Sequence, residues 1–568
     1  MSVVTRAAKT CPRLAFALRP ELSVEALALL ASVFFSLVCN RAFFHGVVAS
    51  GTLHGASGWI TMASLFVALT ALNMLLLGIV LNRWTAKPVL FALLLVTAVA
   101  VHFMDHYGVY FDTDMIQNIL HTDRRESGEL MSVGMIVALL LQGVLPALAV
   151  SRVRLRPRRW KRALLVRATT LGLALLVAAG ALLLSFQPIA ALMRNQPELR
   201  HLVTPGNYLV SLGRVMLEDS GPNLPRLPVG VDATVAARAV EAKPRLLVLV
   251  VGETVRAQNW GLDGYARDTT PQLARLDPIN YPDVSACGSS TEVSLPCMFS
   301  PYGRAHYDRR RIRGSESLLH VLEHAGIATL WRDNQGGCKG VCDGLAFESS
   351  EHATRAEHPS SCDEQRCLDE VMLDGLAQNV DGRRGDLVVV LHQLGNHGPS
   401  YFQRYPPRLR QYTPTCDTPV LGDCSTQEVV NAYDNAVLYT DDFLARTIRW
   451  LAARPDRETA LIYLSDHGES LGENGLFLHG MPYAIAPETQ TKVPMVMWLS
   501  PGFAAARGID IGCMRRHASE PVSQDNLFHT VLGLMEVNTV ALQSDKDLVA
   551  PCIAAGQQGA APSAPSAT

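Results

Sequence analysis

Five membrane-spanning helices followed by an α/β domain outside the cytoplasm form the fold class that this sequence predicts. Three observations predict it. Apolar residues make up 48% of the 568 but crowd into the first third, Lys and Arg collect in alternate short loops of that third, and ten of the 12 cysteines follow Phe186. With 50 basic against 52 acidic residues, the chain has no charge excess that would mark it as a binder of nucleic acid.

The spans are expected around Ser23 to Val38, Gly58 to Leu81, Pro88 to Phe103, Met131 to Val150 and Thr169 to Phe186, each close to the roughly 20 residues a helix needs to cross a bilayer. Glu25 intrudes on the first, and Asn40 with Arg41 closes it. A cleaved signal peptide would account for that stretch alone, but no small-residue cleavage site precedes a polar domain, and further spans follow at once. Positive charge in short loops marks the cytoplasmic side. Arg6, Lys9, Arg13 and Arg19 precede the first span, Arg83 and Lys87 separate the second from the third, and a basic run from Arg152 to Arg167 separates the fourth from the fifth. Five crossings from a cytoplasmic start place everything after Phe186 outside.

Residues 1–186 are therefore read as the membrane domain, 187–243 as a linker broken by prolines, 244–553 as the folded outer domain and 554–568 as a disordered tail with nothing to bury. In the outer loop near 104–130, Met115, Ile116, Ile119 and Leu120 stand at helical spacing, which predicts a short amphipathic helix on the outer membrane surface. Eight of the outer cysteines form close couples, Cys287 with Cys297, Cys338 with Cys342, Cys362 with Cys367 and Cys416 with Cys424, and Cys513 and Cys552 are what remains. Disulfides in an oxidising compartment suit this pattern; a zinc-thiolate site would call for CxxC repeats, which are missing.

After Arg245 the β-branched runs LLVLVV, LVVVLH and ALIYLS alternate with helical segments, the pattern of strands buried on both faces of a mainly parallel sheet. Ligands of such sheets bind at the carboxyl ends of the strands. The first run ends in Glu253, the second in His392 with His397 beyond, and the third in Asp466 and His467. One carboxylate after a strand is usually a helix cap or a solvated loop residue, but three convergent ends are not. Glu253, Asp466 and His467 offer two oxygens and one imidazole, a set that suits Zn²⁺ with one position left for a reacting oxygen. A hydroxyl placed there would become a nucleophile near neutral pH. The segment CGSSTEVSLPCMFS supplies Thr291, with Ser289, Ser290 and Ser294 as competitors on chemistry alone.

The segments VVGETVRAQNWGLDGYARDTTPQL, CGSSTEVSLPCMFSPYG, WRDNQGGCKGVCD, HQLGNHGPSYFQRYP, NAYDNAVLYTDDF and SDHGESLGENGLFLHGMP, in this order, resemble those of the phosphoethanolamine transferases that modify lipid A, including the colistin-resistance enzymes. The resemblance covers nearly the whole chain. It implies an outer domain with the α/β alkaline phosphatase/sulfatase fold, lying in the periplasm and anchored by a multi-pass domain in the bacterial inner membrane. It also implies a zinc cofactor, a phosphatidylethanolamine donor, lipid A as acceptor, a monomeric enzyme, and resistance to polymyxin and cationic peptides as the outcome. The family's nucleophile falls on Thr291, also a metal ligand, and its other zinc ligands fall on Glu253, Asp466 and His467. Its phosphate-binding groups fall on Lys339, His397 and His479, with Asn334 and Gln335 nearby, although Gln335 stands where some relatives have Asn or Asp. Asn118, Thr122 and Glu126, spaced four apart and so expected on one helical face, match positions linked to lipid-head recognition.

Against these functional readings, Lys339 reads equally as surface charge, His397 as a structural loop residue and the outer-loop trio as a solvated helix face. A sulfatase would need a cysteine in a CxPxR setting, and PCMFSP does not provide it. A glycerol-phosphate transferase or phosphodiesterase on the same fold, transfer to a core-oligosaccharide sugar, and a non-catalytic lipid sensor are the remaining alternatives. The PCMFS and HGMP motifs favour ethanolamine transfer.

Overall fold

The apolar runs of the first third fold as helices because nothing inside them competes for the backbone hydrogen bonds. In the computed structural model, which describes residues 19–51, 55–122, 124–219, 226–238, 241–350, 353–354, 356–359, 361–362 and 367–554, the chain divides into two units. One comprises Met1–His106 with Val133–Val210, the other Tyr107–Ser132 with Ser211–Thr568. Beyond Ala554, the expected tail lies outside the described residues.

In the first unit, α1 (Val24–Val38) starts where the Ser23 hydroxyl accepts a hydrogen bond from the Ala26 amide at 3.1 Å. Its 15 residues reach only about 22 Å, short of a hydrocarbon core about 30 Å thick. The chain then bends by 45° into α2 (Arg41–Ala49), so the first apolar stretch is a bent pair, a broken span or a re-entrant loop. Buried Asn40 holds the bend: its Nδ2 donates to the carbonyls of Phe35 and Thr204, each at 2.8 Å, and its Oδ1 accepts from the Thr204 amide at 2.9 Å. Next come α3 (Gly55–Val80) and α4 (Ala86–Tyr107), after which α5 (Thr113–His121) and α6 (Arg124–Glu129) belong to the second unit. The chain returns as α7 (Val133–Arg152), with a π-helical turn at Leu139–Val144 ahead of Pro146, which has no amide to donate.

The last span, α8 (Trp160–Leu184), begins at Trp160 and not at Thr169 as expected, because helical hydrogen bonding continues through Arg162 and Arg167, whose long side chains can reach polar surroundings. Among the described residues, α3, α4, α7 and α8 are each long and apolar enough to cross a membrane, and the bent pair makes up to five. Glu25, the acid inside the first span, is paired with Arg158 at 2.7 Å. Within 187–243, helices form at Phe186–Asn195 and Gly206–Asp219, and the boundary between the two units falls at Val210.

The second unit is built on an eight-stranded sheet. Its strands are β1 (Arg245–Gly252), β2 (Ile279–Ser285), β3 (Ala328–Asp333), β4 (Phe347–Ser349), β5 (Leu387–His392), β6 (Glu458–Ser465), β7 (Lys492–Leu499) and β8 (Val522–Ser523), in the order β8-β2-β7-β6-β1-β5-β3-β4. Only β7 runs antiparallel to its neighbours. Along β1, Leu247, Leu249 and Val251 enter one apolar core and Leu246, Val248 and Val250 the other, which is why its sequence is continuously apolar. The helices of this unit include α9 (Thr291–Met298) and the long α10 (Thr426–Ala452), the latter opened by a Ser425/Glu428 capping box. All five expected disulfides are formed, including Cys513 to Cys552.

Gly395, after β5, has φ +52, and a Cβ there would lie 2.7 Å from the Glu253 carbonyl oxygen. Gly385 has φ +81 with nothing within 4 Å of such a Cβ. Both Gly→Ala changes incur the cost of positive φ, about 1 kcal/mol or more, but only Gly395→Ala adds a collision. A thermal-unfolding comparison in detergent should therefore show Gly395→Ala lowering the midpoint several degrees more than Gly385→Ala; equal midpoints would contradict the close approach.

Candidate active site

Strand register assembles the site. Gly252 pairs with Ser465, Val251 with His392, and His392 with Asp333, so the carboxyl edge presents Asp333, His392, Glu253 and Asp466 in that order. Glu253, Asp466 and His467 have no solvent exposure. His467 Nε2 lies 3.3 Å from Glu253 Oε1 and 3.3 Å from Asp466 Oδ2, and among the described residues neither of those oxygens has a hydrogen-bond partner. Burial pushes the Asp466 carboxyl up to about 7, and the Glu253 charge adds to the shift. Burial also opposes ionisation of Glu253, yet the close approach of His467, with His397 and His479 behind it, holds that carboxyl below the usual range. Burial disfavours the His467 cation, but Asp466 and Glu253 outweigh it and carry the imidazole up to about 10. Two buried carboxylates facing one imidazole, with an orphaned oxygen on each, fit a divalent cation that takes mixed N and O ligands.

Thr291 opens α9, with Ser290 as its N-cap residue and the Cys287–Cys297 disulfide closing the loop over the helix. Its Oγ1 stands 3.0 Å from Glu253 Oε2 and 3.3 Å from His467 Nε2. Ser289, by contrast, donates its hydroxyl to the Met481 carbonyl, and Ser294 is fully buried. Gln524 ties the Thr291 loop to the strand end: Oε1 accepts from the Cys287 amide at 2.6 Å, and Nε2 donates to the carbonyls of Ser465 and Asp466, each at 2.7 Å. Thr254, next to Glu253, sits at φ 57, a conformation a β-branched residue adopts at a cost of about 1–3 kcal/mol. Its amide donates to Asp466 Oδ1 at 3.2 Å, and its carbonyl accepts from Tyr433 Oη at 2.7 Å.

His397 and His479 join the cluster. The His479 ring lies 4.4 Å from that of His467 and 5.3 Å from that of His397. Its Nδ1 pairs with Glu469 Oε2 at 2.8 Å, and Glu469 Oε1 accepts from Tyr401 Oη at 2.8 Å. The His397 carbonyl accepts from Arg404 Nε at 2.7 Å, and Arg404 Nη2 reaches Glu129 of α6 at 2.6 Å. Next to Thr291, buried Glu292 pairs with Arg313 and with His121 of α5. His392 is bonded through Nδ1 to Asp333 at 2.7 Å, both fully buried.

Other residues singled out in the sequence stand apart. Lys339 lines a separate cavity of about 440 Å³ with Glu292, Arg313 and Arg226, and its amine donates to the Gly336 carbonyl at 2.9 Å. Asn334 is engaged with Asp369 at 2.8 Å and the Cys367 carbonyl at 3.1 Å, and Gln335 takes the Gly336 amide. The single helical face expected for Asn118, Thr122 and Glu126 does not form. Thr122 turns its hydroxyl back onto the Asn118 carbonyl at 2.7 Å, adopts ψ 130 and ends α5, and α6 begins anew at Arg124. The Glu126 side chain lies outside the described residues. In α5, Met115 and Ile116 are buried while Ile119 and Leu120 are exposed.

Sequence reasoning missed Gln524, Glu469, Tyr401, Arg404 and Glu129. Glu469 was within reach, two residues beyond His467 in the SDHGES segment; the others have no spacing signal.

Residues 245–537 match the family described as Sulfatase, and residues 69–219 that described as Phosphoethanolamine transferase EptA/EptB. The chain is 38% identical over 541 residues to phosphoethanolamine transferase EptA of Escherichia coli (strain K12), covering 94% of this chain and 98% of that protein. It is 39% identical over 494 residues to phosphatidylethanolamine transferase Mcr-1 of Escherichia coli, covering 84% and 90%. The solved structure of integral membrane protein lipooligosaccharide phosphoethanolamine transferase A from Neisseria meningitidis superposes with a TM-score of 0.90 at 37% identity, over 94% of this chain and 100% of that one. The soluble domain of that protein gives a TM-score of 0.56 at 43% identity, over 58% and 99%. Sequence and fold thus agree across both units, and the chain belongs to the phosphoethanolamine transferase family, enzymes that join a membrane domain to a sulfatase-like α/β domain.

Proposed function

We propose that this enzyme moves phosphoethanolamine from phosphatidylethanolamine to a phosphate of lipid A through a covalent intermediate on Thr291, at a zinc site made by Glu253, Asp466 and His467. The observation that carries this reading is the Thr291 hydroxyl, 3.0 Å from Glu253 and 3.3 Å from His467, beside two orphaned carboxylate oxygens. The protein works as a monomer in the bacterial inner membrane with its second unit in the periplasm. There donor, acceptor and the diacylglycerol product share one leaflet.

In the first half-reaction Thr291 Oγ1, its proton passed to Glu253 Oε2 at 3.0 Å, bonds to the donor phosphorus as the bond to the glycerol oxygen breaks, and the proton returns to Oγ1 when the acceptor displaces it. Held by zinc at this site, a hydroxyl loses its proton more readily and a phosphoryl oxygen is polarised. The fixed N-terminus of α9 adds backbone amides aimed at an anion. His479, with Nδ1 held by Glu469, has Nε2 left to protonate the departing glycerol oxygen. The same nitrogen then takes the acceptor's proton as the acceptor oxygen displaces Thr291 from phosphorus. His397, whose ring lies 5.3 Å from that of His479, offsets phosphoryl charge. Asn118 and Thr122, at the C-terminal end of α5, are the outer-loop residues offered to the lipid headgroup. A covalent intermediate lets two bulky lipids visit one site in turn. On lipid A the added amine offsets phosphate charge, which weakens binding of polymyxin and other cationic peptides.

Expression in a Gram-negative host lacking such enzymes should add phosphoethanolamine to lipid A, seen by mass spectrometry of the purified lipid, and raise polymyxin tolerance. Unmodified lipid A beside a modified core sugar would overturn the acceptor.

Metal binding should also compete with protons in a definite way. His467, raised to about 10, carries a proton at neutral pH, and Asp466 gains one below about 7. Zinc must displace one proton between those values and two below the lower one. Its apparent affinity, read by chelator competition, should fall about tenfold per pH unit from 10 to 7 and more steeply below 7. Chelation should abolish transfer and zinc should restore it best. A pH-independent affinity, or full activity in demetallated protein, would contradict the site.

A further inference from the structure

The first unit holds a cavity that the transfer reaction does not use. It lies where α1 begins, α3 ends and α8 begins, and its volume is about 620 Å³. Arg83, Arg156, Arg158 and Arg167 line it together with Trp84 and Trp160, against one acid, Glu25. The rest of the wall is largely apolar, with Ala28, Met74, Leu81 and Leu171.

The cations are not equally committed. Arg158 is neutralised by Glu25 at 2.7 Å, and Arg156 lies 3.6 Å from Glu21, with both of those side chains well exposed. Among the described residues, Arg83 and Arg167 have no carboxylate within ion-pair distance, and the Arg83 guanidinium rests over the Trp84 ring at 4.2 Å. Four arginines against one glutamate leave the lining in positive excess. An anion therefore belongs in it. The apolar wall and two largely exposed tryptophans, a residue pair typical of the bilayer interface, say that the anion carries acyl chains; a free phosphate would leave that wall uncovered.

Charge in the loops assigns this end of the bundle to the cytoplasmic side, whereas the chain proceeds to its second unit from the opposite end of α8. The donor lipid is a poor occupant, since phosphatidylethanolamine is zwitterionic and offers no net charge to match the excess. Basic clefts between helices on the cytoplasmic side are a recurrent way of holding anionic headgroups. We propose that this cavity binds one anionic diacylphospholipid of the cytoplasmic leaflet, its phosphate between Arg83 and Arg167 and its acyl chains along α3 and α8.

The test uses the full chain in detergent, incubated with equal amounts of palmitoyl-oleoyl phosphatidylglycerol or the matching phosphatidylethanolamine and examined by native mass spectrometry. One phosphatidylglycerol should be retained in preference to phosphatidylethanolamine. Arg83→Gln and Arg167→Gln should each lower that retention about fivefold, the scale expected for one arginine near an anionic headgroup. Arg159→Gln with Arg162→Gln removes charge from the same segment outside the cavity and should leave retention unchanged. Thermal midpoints without added lipid check folding, and the two single variants are read separately so that loss of one does not end the test. Equal retention of the two lipids, or equal loss in the control variant, would overturn the site in favour of diffuse surface attraction.

Discussion

Two carboxylates buried side by side are the constraint on which the rest of the second unit depends. Parallel pairing of β1 with β6, with Gly252 opposite Ser465, leaves Glu253 and Asp466 no choice but to emerge as neighbours. Both side chains are fully buried, and the electrostatic cost of two like charges there is several kcal/mol unless a cation intervenes. His467 supplies part of the compensation in the protein alone. A divalent ion of the kind proposed for this site would supply more, and a site that is unfavourable for folding would then become favourable for binding.

Much of the surrounding structure serves to hold that unfavourable arrangement still. Gln524 clamps the disulfide loop of Thr291 to the strand end of Asp466. Thr254 is kept at positive φ by Asp466 and Tyr433, and Gly395 lets its loop lie against the Glu253 backbone. The outer-loop helices take part as well. Glu129 steadies Arg404, which holds the His397 carbonyl, and His121 meets Glu292 beside Thr291. Arg404 and Glu129 form a largely buried charge pair, so removing one partner would leave the other uncompensated, a larger loss than a surface pair would show.

Legibility in the sequence followed the range of the interactions involved. Apolar strand runs ending in acids and imidazoles are local signals, so Glu253, Asp466 and His467 could be read before any contact was known, and motif register selected Thr291 among neighbouring hydroxyls. Cysteine couples were equally local. Gln524 and the Glu129–Arg404 pair could not be read this way, because the partners lie 237 and 275 residues apart and neither residue type is unusual in a loop or helix. Hydropathy placed the start of the last span too late, since it registers apolar content and not the continuity of hydrogen bonds through Arg162 and Arg167. The outer-loop face was misjudged for a similar reason: four-residue spacing assumes an unbroken helix, and α5 ends at His121 with Thr122 turned to an extended ψ.

The claim that a single hydroxyl on the α9 N-terminus carries the transferred group is tested most directly by intact-protein mass. Full-length enzyme incubated with phosphatidylethanolamine and no acceptor should gain one phosphoethanolamine, located by peptide mapping at Thr291, and release diacylglycerol. Thr291→Ala should remain folded and gain nothing. An adduct that persists in Thr291→Ala, or that maps to Ser290, would contradict the assignment of the nucleophile and with it the geometry on which the mechanism stands.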